Sequence, residues 1–166
     1  MEILWQELTT GISDPSQLIR VVIHLLAAAL LGALVGFERE KAGKPAGLRT
    51  HTLVCVGTAV FILSCSTAAM SLDAMSRVIQ GIVTGIGFIG AGSILKLSQE
   101  KDIRGLTTAA AVWMTAAIGV SAGLGSLGVA CLSTLLALII LRVVGVIEAR
   151  AEQRKSERTK HTSNQP

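Results

Sequence analysis

The chain has 166 residues, of which 51% are hydrophobic and only 16% charged, whereas a soluble domain usually carries about 25% charged residues. Aromatic content is 3% with no Tyr, which excludes a stacking surface for single-stranded nucleic acid. The net charge of +4 is clustered between long apolar runs, so it reads as loop orientation in an integral membrane protein.

In chain order, residues 1–12, MEILWQELTTGI, form either a short interfacial helix with Trp5 at headgroup level or a frayed terminus. Residues 1–17 hold acids but no Lys or Arg, so they lack the basic start of a secretory signal. Asp14-Pro15-Ser16-Gln17 then reads as a helix start. Asp14 can accept from free amides, Pro15 needs no donor at the first position, and Gln17 stands where a capping box needs it.

The gaps between charges give the membrane spans. The first runs over about 21–37, the second over about 52–72 and the third over about 78–95. Pro45, between Gly43 and Gly47, breaks the first connection. After Arg104 the next charge is Arg142, a gap too long for one span of about 20 residues and right for two. GVSAGLGSLG, from Gly119 to Gly128, is the natural turn between them. The fourth span is then about 106–120 and the fifth about 127–147. The expected fold is all-α, a polytopic membrane bundle of about five transmembrane helices over residues 1–148, with a polar cytoplasmic tail over 149–166.

Basic residues set the orientation. Arg39, Lys41, Lys44 and Arg49 follow the first span, Lys96, Lys101 and Arg104 the third, and Arg150, Arg154, Lys155, Arg158 and Lys160 the fifth. The opposite face has Arg77, with Arg20 close to it. Basic loops stay in the cytoplasm, so the N-terminus is expected outside and the C-terminus inside.

The third span, GIVTGIGFIGAGSI, contains a literal GxGxxG at Gly85, Gly87 and Gly90. A dinucleotide site would need a preceding strand and an acid about 20 residues on, and the apolar setting argues against it. Two readings stay open for Gly81, Gly85, Gly87, Gly90 and Gly92: close helix packing, or packing combined with a functional break that exposes backbone. Because these glycines point in several directions, the third span is expected at the bundle centre, against the first and fourth. Ala28, Gly32 and Gly36 give the first span the same small-residue spacing.

The densest polar set falls at the inner face: Glu38, Arg39, Arg49, His51, Arg104, Thr107 and Thr108. It reads as either ordinary interfacial charge or an ordered polar site in which Arg–Glu pairs offset desolvation. His24, about a turn inside the first span on its outer side, reads as a satisfied or partly exposed histidine. Cys55, Cys65 and Cys131 lie in apolar runs without metal-ligand spacing and read as packing residues. No span carries an Asp, Glu, Lys or Arg near its middle, as proton relays and charge-coupled transporters usually do. HExxH, GxSxG and Walker motifs are missing, so no enzyme activity, cofactor or metal site is expected.

Three blocks, GALVGFEREKAGKPAGLRTHTLVCVG, IVTGIGFIGAGSIL and IRGLTTAAAVWMTAAIGVSAGLG, resemble the MgtC/SapB family over about residues 31–125. The resemblance implies a bacterial inner-membrane protein associated with survival at low magnesium and inside macrophages, and with restraint of the F-type ATP synthase. It adds Thr50, Gly47, Gly105 and Trp113 to the candidate positions. Longer members carry a C-terminal cytoplasmic ACT-like domain, so a function that requires that domain is not expected here. The implied function is regulatory, through helix–helix contacts; the alternative is a small ion or solute transporter or channel using a glycine-broken third span. Expected partners are the lipid bilayer and another membrane complex such as the ATP synthase, with room for a homo-oligomer and no nucleic acid.

Overall fold

A computed structural model of the chain describes residues 14–96, 103–143 and 145. The expected interfacial segment 1–12, the end of the fifth span and the tail 149–166 lie outside the described residues. Five helices account for nearly all of what is described: α1 (Pro15–Lys41), α2 (Leu48–Thr67), α3 (Leu72–Gly92), α4 (Leu106–Gly123) and α5 (Leu127–Val143). Between α3 and α4 a two-residue antiparallel pair joins β1 (Leu95–Lys96) to β2 (Ile103–Arg104), with Leu95 opposite Arg104.

The first four helices hold 27, 20, 21 and 18 residues and are apolar enough to cross a membrane, since about 20 residues span the hydrocarbon. Their flanks are coated with large apolar side chains open to the surroundings, among them Leu26, Leu30, Leu53, Phe61 and Phe88. Such a coat is stable only against lipid, so the chain is a multi-pass membrane protein. The helices extend beyond the spans read from charge gaps, because a helix continues into the interface where hydrocarbon stops. Thus α3 begins at Leu72 and includes Asp73 and Arg77.

Local chemistry sets the ends. Asp14 caps α1 in extended conformation, accepting from the Ser16 amide at 3.2 Å and from the Ser16 hydroxyl. Those bonds hold its carboxyl below the ordinary aspartate range. The helix closes near Gly43, whose φ of +65° suits glycine. The α2 start is capped from the preceding helix, the Leu48 amide donating to Glu40 Oε2 at 2.9 Å. Ser71 caps α3 through the Ala74 amide. Gly105, at φ +98°, opens α4 tight against the Ser93 carbonyl, where a side chain has no room.

The centre of the bundle is α2, held between α1 and α4. A Cβ on Gly32 would stand 2.6 Å from Cys55 Cβ, and one on Gly36 would stand 2.7 Å from Leu48 Cα. On the other flank, a Cβ on Gly123 would lie 2.8 Å from Ile62 Cβ, and one on Gly119 would collide with the Thr58 hydroxyl and the Cys55 carbonyl. Small residues let backbones approach where lipid gives no hydrophobic drive for association. Ala28, Val35, Cys55, Ala59, Ile62, Ile118 and Ala122 fill the seam, each almost wholly buried. Ala130 brings α5 onto the same core.

The expectation of a central third span is corrected. Only Ile86 and Gly90 of α3 are buried. A Cβ on Gly81, Gly85, Gly87 or Gly92 would meet nothing within 4 Å, and Gly90 merely touches Ala109 at 3.5 Å. The helix also runs unbroken through all of these glycines. Glycine density in the sequence suggests crowding, but crowding depends on what stands opposite. The crowded glycines inside helices are Gly32 and Gly36 on α1 and Gly119 and Gly123 on α4, the last two falling in the stretch that the sequence marks as a turn.

Candidate functional site

The last turns of α1 carry Glu38 and Arg39 on the stripe that faces α2, beyond Leu31 and Val35. Neighbouring side chains on a helix diverge by about 100°, yet these two fold onto each other as a forked pair. Arg39 Nε donates to Glu38 Oε2 at 2.6 Å and Nη2 to Oε1 at 2.9 Å. Arg39 is 3% exposed and Glu38 8%, so the pair is desolvated and each charge depends on the other.

His51 enters the same layer from α2. It lies in the first turn of the helix and is fully buried. A Cβ on Gly32 would stand 2.8 Å from its carbonyl oxygen, so the bare backbone at Gly32 lets α1 rest directly on it. Its Nδ1 lies 2.7 Å from Thr115 Oγ1 on α4. The Thr115 hydroxyl donates to the Ala111 carbonyl at 2.8 Å. With that proton spent, Nδ1 is assigned as the donor and Thr115 as acceptor. Nε2 is buried and finds no hydrogen-bond partner among the described residues. Glu38 and Arg39 are the charged groups whose fields reach the ring.

The structure therefore brings together Glu38, Arg39 and His51, with Thr108 buried nearby on α4. It leaves Arg49 and Thr107 exposed and Thr50 partly so. Arg104 falls in β2. Trp113, half exposed, lines an apolar cleft of about 220 Å³ with Ile79, Val83 and Val120. Gly47 is pressed by Glu40, Oε2 standing 2.9 Å from where a Cβ would be. Sequence reasoning missed Thr115, for which the small residues at Thr115, Gly119 and Gly123, four apart, were the available signal. Chemically the cluster is a lock: the hydroxyl that could be a nucleophile is spent on a carbonyl, and the carboxylate is spent on Arg39. Among the described residues no three His, Cys, Asp or Glu converge on a metal position.

A second polar region lies at the opposite end of the same seam. There α1, α2 and α4 part around a cleft of about 510 Å³ whose lining includes Arg20, His24, Ser66, Thr67 and Gly123. Between this cleft and the Glu38 layer, Ala28, Cys55, Ala59, Ile62, Ile118 and Ala122 close the seam. A third feature is the open side of α3. An apolar groove of about 400 Å³ runs between it and α2, lined by Phe61, Val78, Gly81, Ile82, Gly85 and Ile89.

A family model described as the MgtC family matches residues 25–150. The chain is 46% identical over 133 residues to Protein MgtC of Salmonella typhimurium, covering 80% of this chain and 54% of that protein. It is 40% identical over 129 residues to Protein SrpB of Synechococcus elongatus, covering 71% of each. It is 42% identical over 129 residues to YhiD of Escherichia coli (strain K12), whose name marks it as a proposed magnesium transporter, covering 74% of this chain and 59% of that protein. The chain spans about half the length of the MgtC proteins it matches. No solved structure matches it.

Proposed function

The chain belongs to the MgtC family, and we propose that it is a non-enzymatic regulatory protein of the bacterial cytoplasmic membrane. In this reading it serves adaptation to low magnesium and intracellular survival by docking on another membrane complex, the F-type ATP synthase being the expected one. The Glu38 end, with its basic loops, faces the cytoplasm.

One observation carries the reading: the contrast between covered and uncovered glycines. Gly32, Gly36, Gly119 and Gly123 are each pressed against a neighbouring helix, while Gly81, Gly85, Gly87 and Gly92 face open space. Each glycine costs a helix about 1 kcal/mol relative to alanine. Within the fold α3 gains nothing for that cost, whereas a partner helix laid on Gly81 and Gly85 would gain close backbone approach.

A second reading, a small ion or solute transporter, draws on the relative named for magnesium transport and on the polar groups at both ends of the α1–α2–α4 seam. The apolar plug from Ala28 to Ile118 between them favours the regulatory reading. The test is affinity purification of the full chain from native membranes, comparing wild type with Gly81→Leu and Gly85→Leu. A defined membrane complex should come with the wild type and be lost from both variants, which should remain inserted and thermally stable. Recovery of the same complex with both variants would reject α3 as the docking face. Magnesium flux into vesicles holding the chain alone would favour the transporter.

A further inference from the structure

We infer that the cleft at the Asp14 end is a phosphate-binding site, placed to take the headgroup of a phospholipid or a free phosphate. The stripe of α1 that builds the seam runs through Val35, Leu31 and Ala28 and continues through His24, Val21, Arg20 and Gln17. Its chemistry changes from small and aliphatic to polar just where α1 parts from α2 and the cleft opens. His24 is partly buried on this stripe and Arg20 stands exposed at the mouth of the gap, a pairing that suits binding rather than packing.

The donors suit an oxyanion. Arg20 is the cation of the lining, and its planar fork matches two phosphate oxygens. His24 stands one turn deeper on the same face. Its Nδ1 is buried and has no hydrogen-bond partner among the described residues. Gly125, at φ +80°, seats the ring, since a Cβ there would stand 3.2 Å from Cε1. Ser66 and Thr67 line the cleft from α2, the Thr67 hydroxyl donating to the Ser64 carbonyl at 3.1 Å, and Ser16 and Gln17 complete its polar wall. The wall also holds the Asp14 carboxylate. Both its oxygens are engaged by the Ser16 amide and hydroxyl, so the carboxylate is committed to the helix start; it keeps its negative charge, and Arg20 is the group in the lining that attracts an anion.

The surroundings point to an amphiphile. On the same turns of α1, Leu18, Ile19, Val22 and Ile23 are 45–59% exposed. A headgroup in the cleft would thus have its acyl chains beside these side chains, in lipid. The site is independent of the α3 docking face, which lies on another helix.

Purified full chain in detergent would be melted with inorganic phosphate, against chloride at matched ionic strength. It would also be melted with dioleoyl phosphatidylglycerol, against the headgroup-free diacylglycerol. Native mass spectrometry would follow the bound species. Either phosphate or phosphatidylglycerol should raise the midpoint, and the arm that responds identifies the source. Arg20→Gln and His24→Gln should each weaken that binding by about tenfold or more, from loss of a charge-assisted or buried hydrogen bond. Arg20→Lys should keep part of it and shows that the fold survives change at this position. No response in either arm, or an equal response in wild type and both glutamine variants, would overturn the inference.

Discussion

His51 Nδ1 lies 2.7 Å from Thr115 Oγ1, across 64 residues of chain, and this bond ties the first turn of α2 to the middle of α4. Both side chains are fully buried. The imidazole proton has one place to go, because the threonine hydroxyl is already bound to the Ala111 carbonyl. Thr115→Val keeps the shape and removes the acceptor, leaving a buried N–H unpaired. The expected loss of stability is about 1–3 kcal/mol, measured by thermal melting in detergent. Thr115→Ser should recover most of it.

The forked pair on α1 predicts an asymmetric response. Glu38→Ala leaves a buried guanidinium without its carboxylate and should cost about 3–5 kcal/mol. Replacing both partners together, Glu38→Met with Arg39→Met, should cost much less than either single change, since no unpaired charge remains. Arg49→Ala, on an exposed position of α2, should change stability by about 0–1 kcal/mol. Melting of these variants checks the ordering; an Arg49→Ala loss as large as that of Glu38→Ala would contradict it.

The glycines should divide into two classes. Gly32→Ala drives a methyl to 2.6 Å from Cys55 Cβ, and Gly119→Ala drives one into the Cys55 carbonyl. Backbone has to shift in both, at about 1–3 kcal/mol or more. Gly81→Ala and Gly85→Ala meet open space and should be neutral or stabilising by up to about 1 kcal/mol. Expression level and melting midpoint of the four single variants read this directly.

What the sequence disclosed follows the range of the forces involved. The Asp14 cap depends on neighbouring residues, and the Ser16 amide donates to its carboxylate. Charge gaps located the helices because hydrocarbon excludes charge over any sequence. Glu38, Arg39 and His51 could be grouped by membrane depth alone. Depth does not say which side of a helix a residue takes, so Arg49 was grouped with them and proves exposed. Thr115 was hidden because a threonine in mid-helix has an unremarkable local reading and its partner is remote. The placement of α3 was hidden for a related reason: five nearby glycines thin a helix, but only the fold says whether anything stands against the thin side. His24 reads as a satisfied or partly exposed histidine; it is partly exposed, and its Nδ1 has no hydrogen-bond partner among the described residues.

Orientation is the last prediction. Successive helices run antiparallel, so the α1–α2 loop and the β1–β2 pair share one end, and the α2–α3 and α4–α5 connections share the other. Arg39, Lys41, Lys44 and Arg49 cluster at the first of these ends, together with Lys96 and Arg104. The second end carries Arg20 and Arg77 on helix turns near it. A basic excess is retained in the cytoplasm, so Lys44 should face inward and Met70 outward. Single cysteines at these exposed positions can be read against the native thiols. Cys55 and Cys65 are buried, and Cys131 sits on the apolar flank of α5, beyond reach of a water-soluble reagent. In intact cells an impermeant maleimide should label Met70→Cys and spare Lys44→Cys, which should react only after permeabilisation. The reverse pattern would invert the topology, placing the Glu38 layer on the outer side and the Arg20 cleft on the inner one.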